Sequence, residues 1–141
     1  MEEIKMPDKS TAWVTLATKD TYAVGALVLG HSLRLSGTVH QLHCLITDEV
    51  SKSMREQLNK VFDHVTFVNI FDSKDSETLE FIGRPELGVT FTKLNCWKLT
   101  QYTKCVYIDS DALVIKNSDE LFDRPEIAGA PDIGWPDNFN S

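Results

Sequence analysis

The feature that most constrains the fold is an alternation of strand and helix patterns over the first half of the chain. Apolar, β-branched runs at residues 12–18, 42–47 and 64–71 are typical of buried strands. Residues 21–35 are apolar nearly all round and residues 50–62 carry a single apolar stripe, so both segments are predicted to be helices. This order predicts βαβ units. It therefore predicts an α/β fold with a mostly parallel sheet, helices on both faces and right-handed crossovers.

The second half of the chain shows fewer regular patterns. Residues 72–83 are polar and indicate a loop, whereas Pro85 suits the start of a helical region. The further predictions are a helix at 90–99, a fourth strand at 104–110 that runs on through 112–116, one helical turn at 118–123 and another strand at 127–133. The length suits one domain, which a flexible segment over residues 1–10 is expected to precede.

Composition and charge exclude several classes of protein. The 141 residues are 42% hydrophobic and 25% charged, which is typical of a globular domain. Acidic residues outnumber basic ones by 21 to 14, and the net charge of −7 argues against a nucleic-acid binder, which needs a basic surface. The N-terminus lacks an apolar signal core, and the longest uncharged stretch, residues 21–33, is too short to cross a bilayer. No membrane association is expected.

The three cysteines, Cys44, Cys96 and Cys105, are widely separated and lie in apolar stretches. Their spacing does not resemble that of a zinc site or a redox-active pair. They predict buried free thiols in a reducing compartment, and cytoplasmic residence is the expectation.

Two aspartates interrupt the apolar pattern of the fourth predicted strand. The segment CVYIDSDALVI (105–115) places Asp109 and Asp111 one residue apart, directly after an apolar run. In open parallel sheets, ligands bind beyond the carboxyl ends of the strands, where this pair lies. Neighbouring carboxylates repel each other unless a cation lies beside them, and Mg²⁺ and Mn²⁺ prefer oxygen ligands. The pair therefore indicates a metal–diphosphate site, with a solvated turn as the alternative interpretation.

A second chemistry fits the same pair of aspartates. An apolar strand followed by Asp-x-Asp is also typical of phosphohydrolases of the haloacid-dehalogenase type, in which the first aspartate is the nucleophile. Those enzymes carry the motif on an early strand, with further catalytic residues far downstream. Here three predicted strands precede the motif and only 30 residues (141 − 111) follow Asp111, so this interpretation is rejected.

Four blocks of the sequence resemble the glycogenins, a family of self-glucosylating glycosyltransferases with the GT-A fold within glycosyltransferase family 8. The blocks are VTLATKDTYAVGALVLGHSL (14–33), VSKSMREQL (50–58), RPELGVTFTKLNCWKLTQYTKCVYIDSDALV (84–114) and APDIGWPDNFNS (130–141). The resemblance implies that residues 11–141 form the N-terminal, nucleotide-binding part of a Rossmann-like GT-A domain. It also implies a chain truncated at its C-terminus, with an incomplete version of that fold.

The resemblance implies binding roles for residues that match the family's motifs. Leu16, Thr18 and Tyr22 fall where the family holds uracil and ribose, and Tyr22 offers an aromatic face for a base. The resemblance also implies that Arg84 and Lys93 contact the nucleotide-sugar. A fork of donors and a point charge both suit diphosphate oxygens.

Further matches concern the metal and the reacting sugar. Asp109 and Asp111 match the metal-binding pair, and Ser110 lies between them where the family contacts the ribose. Asn140 matches an asparagine close to the reacting centre and is the catalytic candidate. The sequence departs from the family at Lys19, where an asparagine is usual, so no binding role is carried over to that position.

The activity implied by the resemblance is transfer of glucose from UDP-glucose to a protein tyrosine, followed by extension of the glucan that primes glycogen synthesis. Mn²⁺ or Mg²⁺ would neutralise the diphosphate. A homodimer and a glycogen synthase are the implied partners. The family's acceptor tyrosine and a further metal-binding histidine lie beyond Ser141, so this chain is expected not to glucosylate itself.

Two other functions stay open at the level of the sequence. A related family-8 transferase with a different acceptor, such as a galactinol synthase, would have a similar donor pocket. A non-catalytic module that joins a full-length glycogenin or a glycogen synthase is the alternative from a different class. Glucose as the transferred sugar rests on the resemblance alone.

Overall fold

A computed structural model describes residues 8–69 and 91–131 of the chain. Its strands are β1 (Asp8–Ala17), β2 (His40–Ile46), β3 (His64–Phe67) and β4 (Lys104–Tyr107). Two α-helices follow the first two strands, α1 (Asp20–Leu35) and α2 (Lys52–Val61). Two 3₁₀ helices span Phe91–Lys98 and Asp119–Asp123.

The described strands form a single parallel sheet in the order β3-β2-β1-β4. β1 is central, pairing with β2 on one side and with β4 on the other, and β2 pairs with β3. This confirms the predicted α/β class with a parallel sheet, and the architecture is consistent with a Rossmann-like GT-A fold. The order also brings the carboxyl ends of β1 and β4 together.

The two faces of the sheet are covered differently. Because side chains alternate along a strand, Trp13 and Ala17 face α1 and α2, where they join one apolar cluster. Val14 and Leu16 face the opposite way and pack in a second cluster with Leu99. Both α-helices therefore lie on one face, and the other face is covered by the 3₁₀ helix Phe91–Lys98 and the residues that follow it.

Local sequence explains the helices. α2 begins after Ser51, whose hydroxyl accepts a hydrogen bond from the Met54 amide at 3.3 Å and so satisfies one free N–H of the first turn. α1 is apolar nearly all round, but only one of its faces is buried, and Val24, Val28 and Leu35 are exposed. A Cβ at Gly30 would lie 2.7 Å from Val61 Cγ1 and 3.0 Å from the Phe62 ring. A glycine at this position lets α1 pack closely against the end of α2.

Several predicted boundaries differ from the structure. β1 begins at Asp8, so residues 8–10 of the segment expected to be flexible belong to a strand, whereas residues 1–7 lie outside the described residues. β3 ends at Phe67, earlier than predicted. The loop predicted at 72–83 lies outside the described residues.

The helix predicted at 90–99 is a 3₁₀ helix over Phe91–Lys98. Its buried Asn95 donates a side-chain hydrogen bond to the Thr92 carbonyl at 2.9 Å and another to the Asn69 carbonyl at 3.3 Å. A side chain that occupies a carbonyl within its own helix competes with the i→i−4 ladder. This local bonding accounts for the tighter form.

Two predicted strands are absent from the described residues. After β4 the chain turns, with the Ala112 amide donating to the Asp109 carbonyl at 3.1 Å, and residues 112–116 leave the sheet. The Val114 amide then donates to Ser32 Oγ of α1 at 3.1 Å. Residues 127–131 are exposed and not extended into a strand, because they have no buried face to define one, and 132–133 lie outside the described residues. The helical turn predicted at 118–123 is confirmed.

All three cysteines are free, as predicted, but only Cys44 is fully buried. Burial raises the pKa of Cys44 to about 12 and that of Cys105 to about 11, which keeps both thiols protonated and unreactive at neutral pH. None of the helices within residues 8–69 and 91–131 combines the length and the apolar character needed to cross a bilayer.

The buried His43 predicts a pH dependence of stability. Its ring nitrogens lie 3.0 Å from the Tyr102 hydroxyl and 2.8 Å from the Thr66 hydroxyl. Burial, and then the nearby His64, lower the pKa of His43 from 6.5 to about 4. Between these values the unfolded chain binds a proton that the native chain does not. We therefore expect the free energy of unfolding to fall as pH decreases from 6.5 to 4, by up to about 1.4 kcal/mol per pH unit.

Urea unfolding at several pH values tests this expectation. A His43→Gln variant should lose one proton's share of the slope between pH 6.5 and 4, whereas His31→Gln, an exposed site on α1, should keep the wild-type slope. Equal slopes for the wild type and His43→Gln would show that His43 titrates normally in the native chain.

Candidate functional site

The site lies at the carboxyl edge of the sheet, where β1 and β4 end side by side. Leu16 is at the end of β1, Thr18 follows that strand, and Tyr22 is in the first turn of α1. The segment 109–111 follows β4 after the Ile108 amide makes its last bond to β1, donating to the Val14 carbonyl at 2.9 Å. These segments and the 3₁₀ helix Phe91–Lys98 surround an open cavity of about 220 Å³.

The cavity brings together every predicted site residue that the structure describes. They come from the end of β1, the start of α1, the 3₁₀ helix and the segment after β4: Leu16, Thr18, Tyr22, Lys93, Asp109, Ser110 and Asp111. The two remaining predicted residues, Arg84 and Asn140, lie outside the described residues.

The turn that carries the aspartates is held against α1. A Cβ at Gly25 would overlap the Ser110 carbonyl oxygen and would lie 3.2 Å from its carbon and 3.8 Å from Asp111 Cα. The backbone of the turn therefore touches the helix at a point where any side chain would intrude. This contact fixes the position of Asp111 at the edge of the sheet, where its side chain is exposed.

The two aspartates differ in their surroundings. Lys93 Nζ lies 2.7 Å from Asp109 Oδ1, and both side chains are partly exposed. The same ammonium lies 5.6 Å from the centre of the Tyr107 ring, in the geometry of a cation–π contact. Burial, the charge of Asp109 and a hydrogen bond with its carboxylate raise the pKa of Tyr107, so its hydroxyl stays protonated.

A second cation lies next to Tyr22, one of the residues that line the cavity. Lys19 immediately precedes α1, and its Nζ lies 5.5 Å from the centre of the Tyr22 ring. The neighbouring Asp20 points to α2, where its carboxylate accepts a 2.7 Å hydrogen bond from the Ser51 amide that lowers its pKa. The start of a helix and two lysines thus give this edge of the sheet groups that attract an anion.

Two of the side chains at the cavity are suitable ligands for a hard divalent cation. Asp109 and Asp111 offer carboxylate oxygens at the cavity, the ligands that Mg²⁺ and Mn²⁺ prefer. Within residues 8–69 and 91–131, however, there is no group of three or more His, Cys, Asp or Glu side chains arranged to hold a metal ion. The two aspartates can therefore hold a cation that takes its other ligands from elsewhere, such as phosphate oxygens or water.

Sequence reasoning did not find Tyr107 or Gly25. Strand alternation was a usable signal for Tyr107, because residues two apart on β4 face the same side and Tyr107 precedes Asp109 by two. Gly25 had no such signal, since its role depends on the approach of a segment 85 residues later (110 − 25).

Comparison with known proteins agrees with this geometry. A sequence profile of Glycosyl transferase family 8 matches residues 13–128 of the chain. Glycogenin-1 of Caenorhabditis elegans is 62% identical over 132 residues, which cover 94% of this chain and 31% of that protein. Glycogenin-1 of Homo sapiens is 58% identical over 130 residues, which cover 92% of this chain and 37% of that protein.

The similarity extends to more distant relatives. Glycogenin of Neurospora crassa is 47% identical over 131 residues, which cover 92% of this chain and 19% of that protein. The chain thus spans about a third or less of the length of these relatives. The profile match covers most of the chain, including the second half of β1, both α-helices and the aspartate pair, and on this basis the chain belongs to glycosyl transferase family 8.

Proposed function

We propose that this chain is the nucleotide-sugar-binding part of a glycogenin-like glucosyltransferase. The proposed donor is UDP-glucose, and the proposed acceptors are a protein tyrosine and then the growing glucan. The single observation that carries the proposal is the cavity of about 220 Å³ at the carboxyl edge of β1 and β4. Residues from four separate segments of the chain line it, and all of them except Tyr107 match donor-site positions implied by the family resemblance.

Different residues of the site are proposed to contact different parts of the donor. Leu16, Thr18 and Tyr22 provide an apolar floor, a hydroxyl and an aromatic face for uracil and ribose. Lys93 would supply a point charge for the diphosphate, and Ser110, which is buried but lines the cavity, would contact the ribose. Arg84 and Asn140 are proposed to add a second diphosphate contact and a sugar contact.

Asp109 and Asp111 would hold Mn²⁺ or Mg²⁺ between the protein and the diphosphate. When bound, the cation neutralises the phosphates and stabilises UDP as it leaves. The protein's own contribution is to keep the two carboxylates at the edge of the cavity, next to the proposed position of the diphosphate. The apolar side chain of Leu16 would keep water away from the base.

Calorimetric titration of the purified chain with UDP tests the proposal. UDP should bind more tightly in Mn²⁺ than in EDTA, and the variant Asp109→Asn/Asp111→Asn should lose this difference, while its affinity in EDTA should be no lower than that of the wild type. Glu120→Gln/Asp123→Asn removes the same number of charges from an exposed site and serves as the matched control. An unchanged Mn²⁺ dependence in the double-asparagine variant would refute the assignment of the site.

The sugar and the partners need separate measurements. UDP-glucose should compete with UDP at least as well as UDP-galactose does, whereas a preference for UDP-galactose would favour a family-8 transferase with another acceptor. We further propose that the protein forms homodimers, binds a glycogen synthase and resides in the cytoplasm. Sedimentation of the chain alone and mixed with a glycogen synthase tests the first two of these associations.

A further inference from the structure

One of the two carboxylates proposed to hold the divalent cation is already paired in the free chain. Lys93 Nζ lies 2.7 Å from Asp109 Oδ1, which is the distance of a charge-assisted hydrogen bond. A divalent cation bound to Asp109 would need the same carboxylate oxygens and would be repelled by an ammonium at this distance. Lys93 and the cation therefore compete for one side of Asp109.

The position of Lys93 is also compatible with a different partner. Its side chain is 40% exposed and lines the cavity together with both aspartates, so an anion in the cavity lies within reach of the ammonium. The Tyr107 ring, 5.6 Å from Nζ, offers a contact that does not depend on Asp109 being free. Rotation of the lysine side chain over this ring would move the charge from the carboxylate towards the cavity.

We infer that Lys93 is a displaceable counter-ion of Asp109: it occupies the place of the divalent cation in the free chain and moves to the diphosphate when nucleotide and cation bind. Tyr107 is the positioning residue that keeps the ammonium within reach of both sites. The inference rests on the proposed function, because the diphosphate is the anion that takes up Lys93. It adds that binding of the nucleotide and of the cation are coupled through one side chain.

The exchange predicts effects of opposite sign on the two ligands. Without nucleotide, removal of the Lys93 charge frees Asp109 and should tighten Mn²⁺ binding. With UDP present, the same change removes a charge-assisted contact to the diphosphate and should weaken UDP binding. A lysine that only stabilises the fold would weaken both.

The experiment measures free Mn²⁺ by electron paramagnetic resonance during titration of the wild type, Lys93→Met and Lys98→Met. Lys98 is exposed in the same 3₁₀ helix, so its variant makes an equal change in charge away from the cavity. Without nucleotide, Lys93→Met should bind Mn²⁺ about three- to tenfold more tightly than the wild type, and Lys98→Met should match the wild type. Calorimetry with UDP in saturating Mn²⁺ should show about tenfold weaker binding to Lys93→Met alone.

The outcomes separate this inference from the proposed function. Mn²⁺ affinity that is unchanged or lower in Lys93→Met overturns the counter-ion role, even if the wild type binds UDP in a Mn²⁺-dependent manner. A wild type that binds no UDP in saturating Mn²⁺ refutes the proposed function instead. Coincident thermal transitions of the three proteins establish that the variants are folded, and Tyr107→Leu should weaken UDP binding in Mn²⁺ by disordering Lys93.

Discussion

Replacement of Gly25 by alanine is expected to destabilise the chain by about 2–3 kcal/mol and to abolish measurable UDP binding. A Cβ at this position overlaps the Ser110 carbonyl oxygen, and backbone on both sides of the contact has little freedom to yield. Either α1 or the turn must move, and Asp111 moves with the turn. This loss of stability is opposite in sign to the usual effect of the substitution, because a helix interior normally favours alanine over glycine by about 1 kcal/mol.

Two glycine controls make the measurement specific. Gly30→Ala adds the same methyl group to the same helix, but its Cβ meets the side chains of Val61 and Phe62. It should therefore lower stability and leave UDP affinity intact. Gly129→Ala meets nothing within 4 Å and should match the wild type in both measurements. A Gly25→Ala chain with wild-type unfolding and wild-type UDP affinity would show that the turn does not rest on α1.

Replacement of Asp119 by alanine is expected to cost about 2–3 kcal/mol of unfolding free energy, although the residue lies far from the cavity. Its carboxylate accepts hydrogen bonds from Thr38 Oγ1 at 2.6 Å and from the Val39 amide at 3.1 Å. Thr38 Oγ1 in turn accepts a 2.9 Å bond from the Trp13 indole, and His40 Nε2 lies 3.9 Å from the carboxylate. Without Asp119, these partly buried donors lose their acceptor while water has little access to them.

Urea unfolding with matched variants tests the role of Asp119. Asp119→Asn keeps an acceptor oxygen and should cost about half as much as alanine, and Asp123→Ala, at the exposed end of the same 3₁₀ helix, should stay within about 0.5 kcal/mol of the wild type. A cost below about 1 kcal/mol for Asp119→Ala would contradict the proposed network.

Acid titration gives an independent check on Asp119. Burial alone would raise its pKa, but hydrogen bonds from Thr38 and Val39 outweigh burial and hold the pKa below 3.8. As pH falls, the unfolded chain takes up this proton before the native chain does. The stability that Asp119 contributes is therefore complete well above pH 3.8 and is lost as pH falls through the lower native value, so Asp119→Ala should lose less stability in acid than the wild type.

Much of the fold was predictable because its signals are local. The β-branched runs, the apolar stripe of α2 and the helical turn at 118–123 correspond to elements of the structure. The prediction was wrong at residues 112–116, which have a strand-like composition but turn away because the Val114 amide bonds to Ser32 of α1. Local patterns also did not predict that the helix at 91–98 is a 3₁₀ helix, because this depends on the hydrogen bonds of the Asn95 side chain.

By itself, the sequence determined the alternation of strands and helices along the chain, the parallel sheet that this alternation implies, and the position of the aspartate pair beyond β4. Periodicity and strand direction are enough to place a residue at a given edge of a sheet. Only the tertiary structure decided which residues meet there. It paired Lys93 with Asp109, set Gly25 against Ser110 and gave the Val39 amide its acceptor in Asp119. These partners lie 16, 85 and 80 residues apart (109 − 93, 110 − 25, 119 − 39), and such contacts depend on how whole elements pack, which no local pattern encodes.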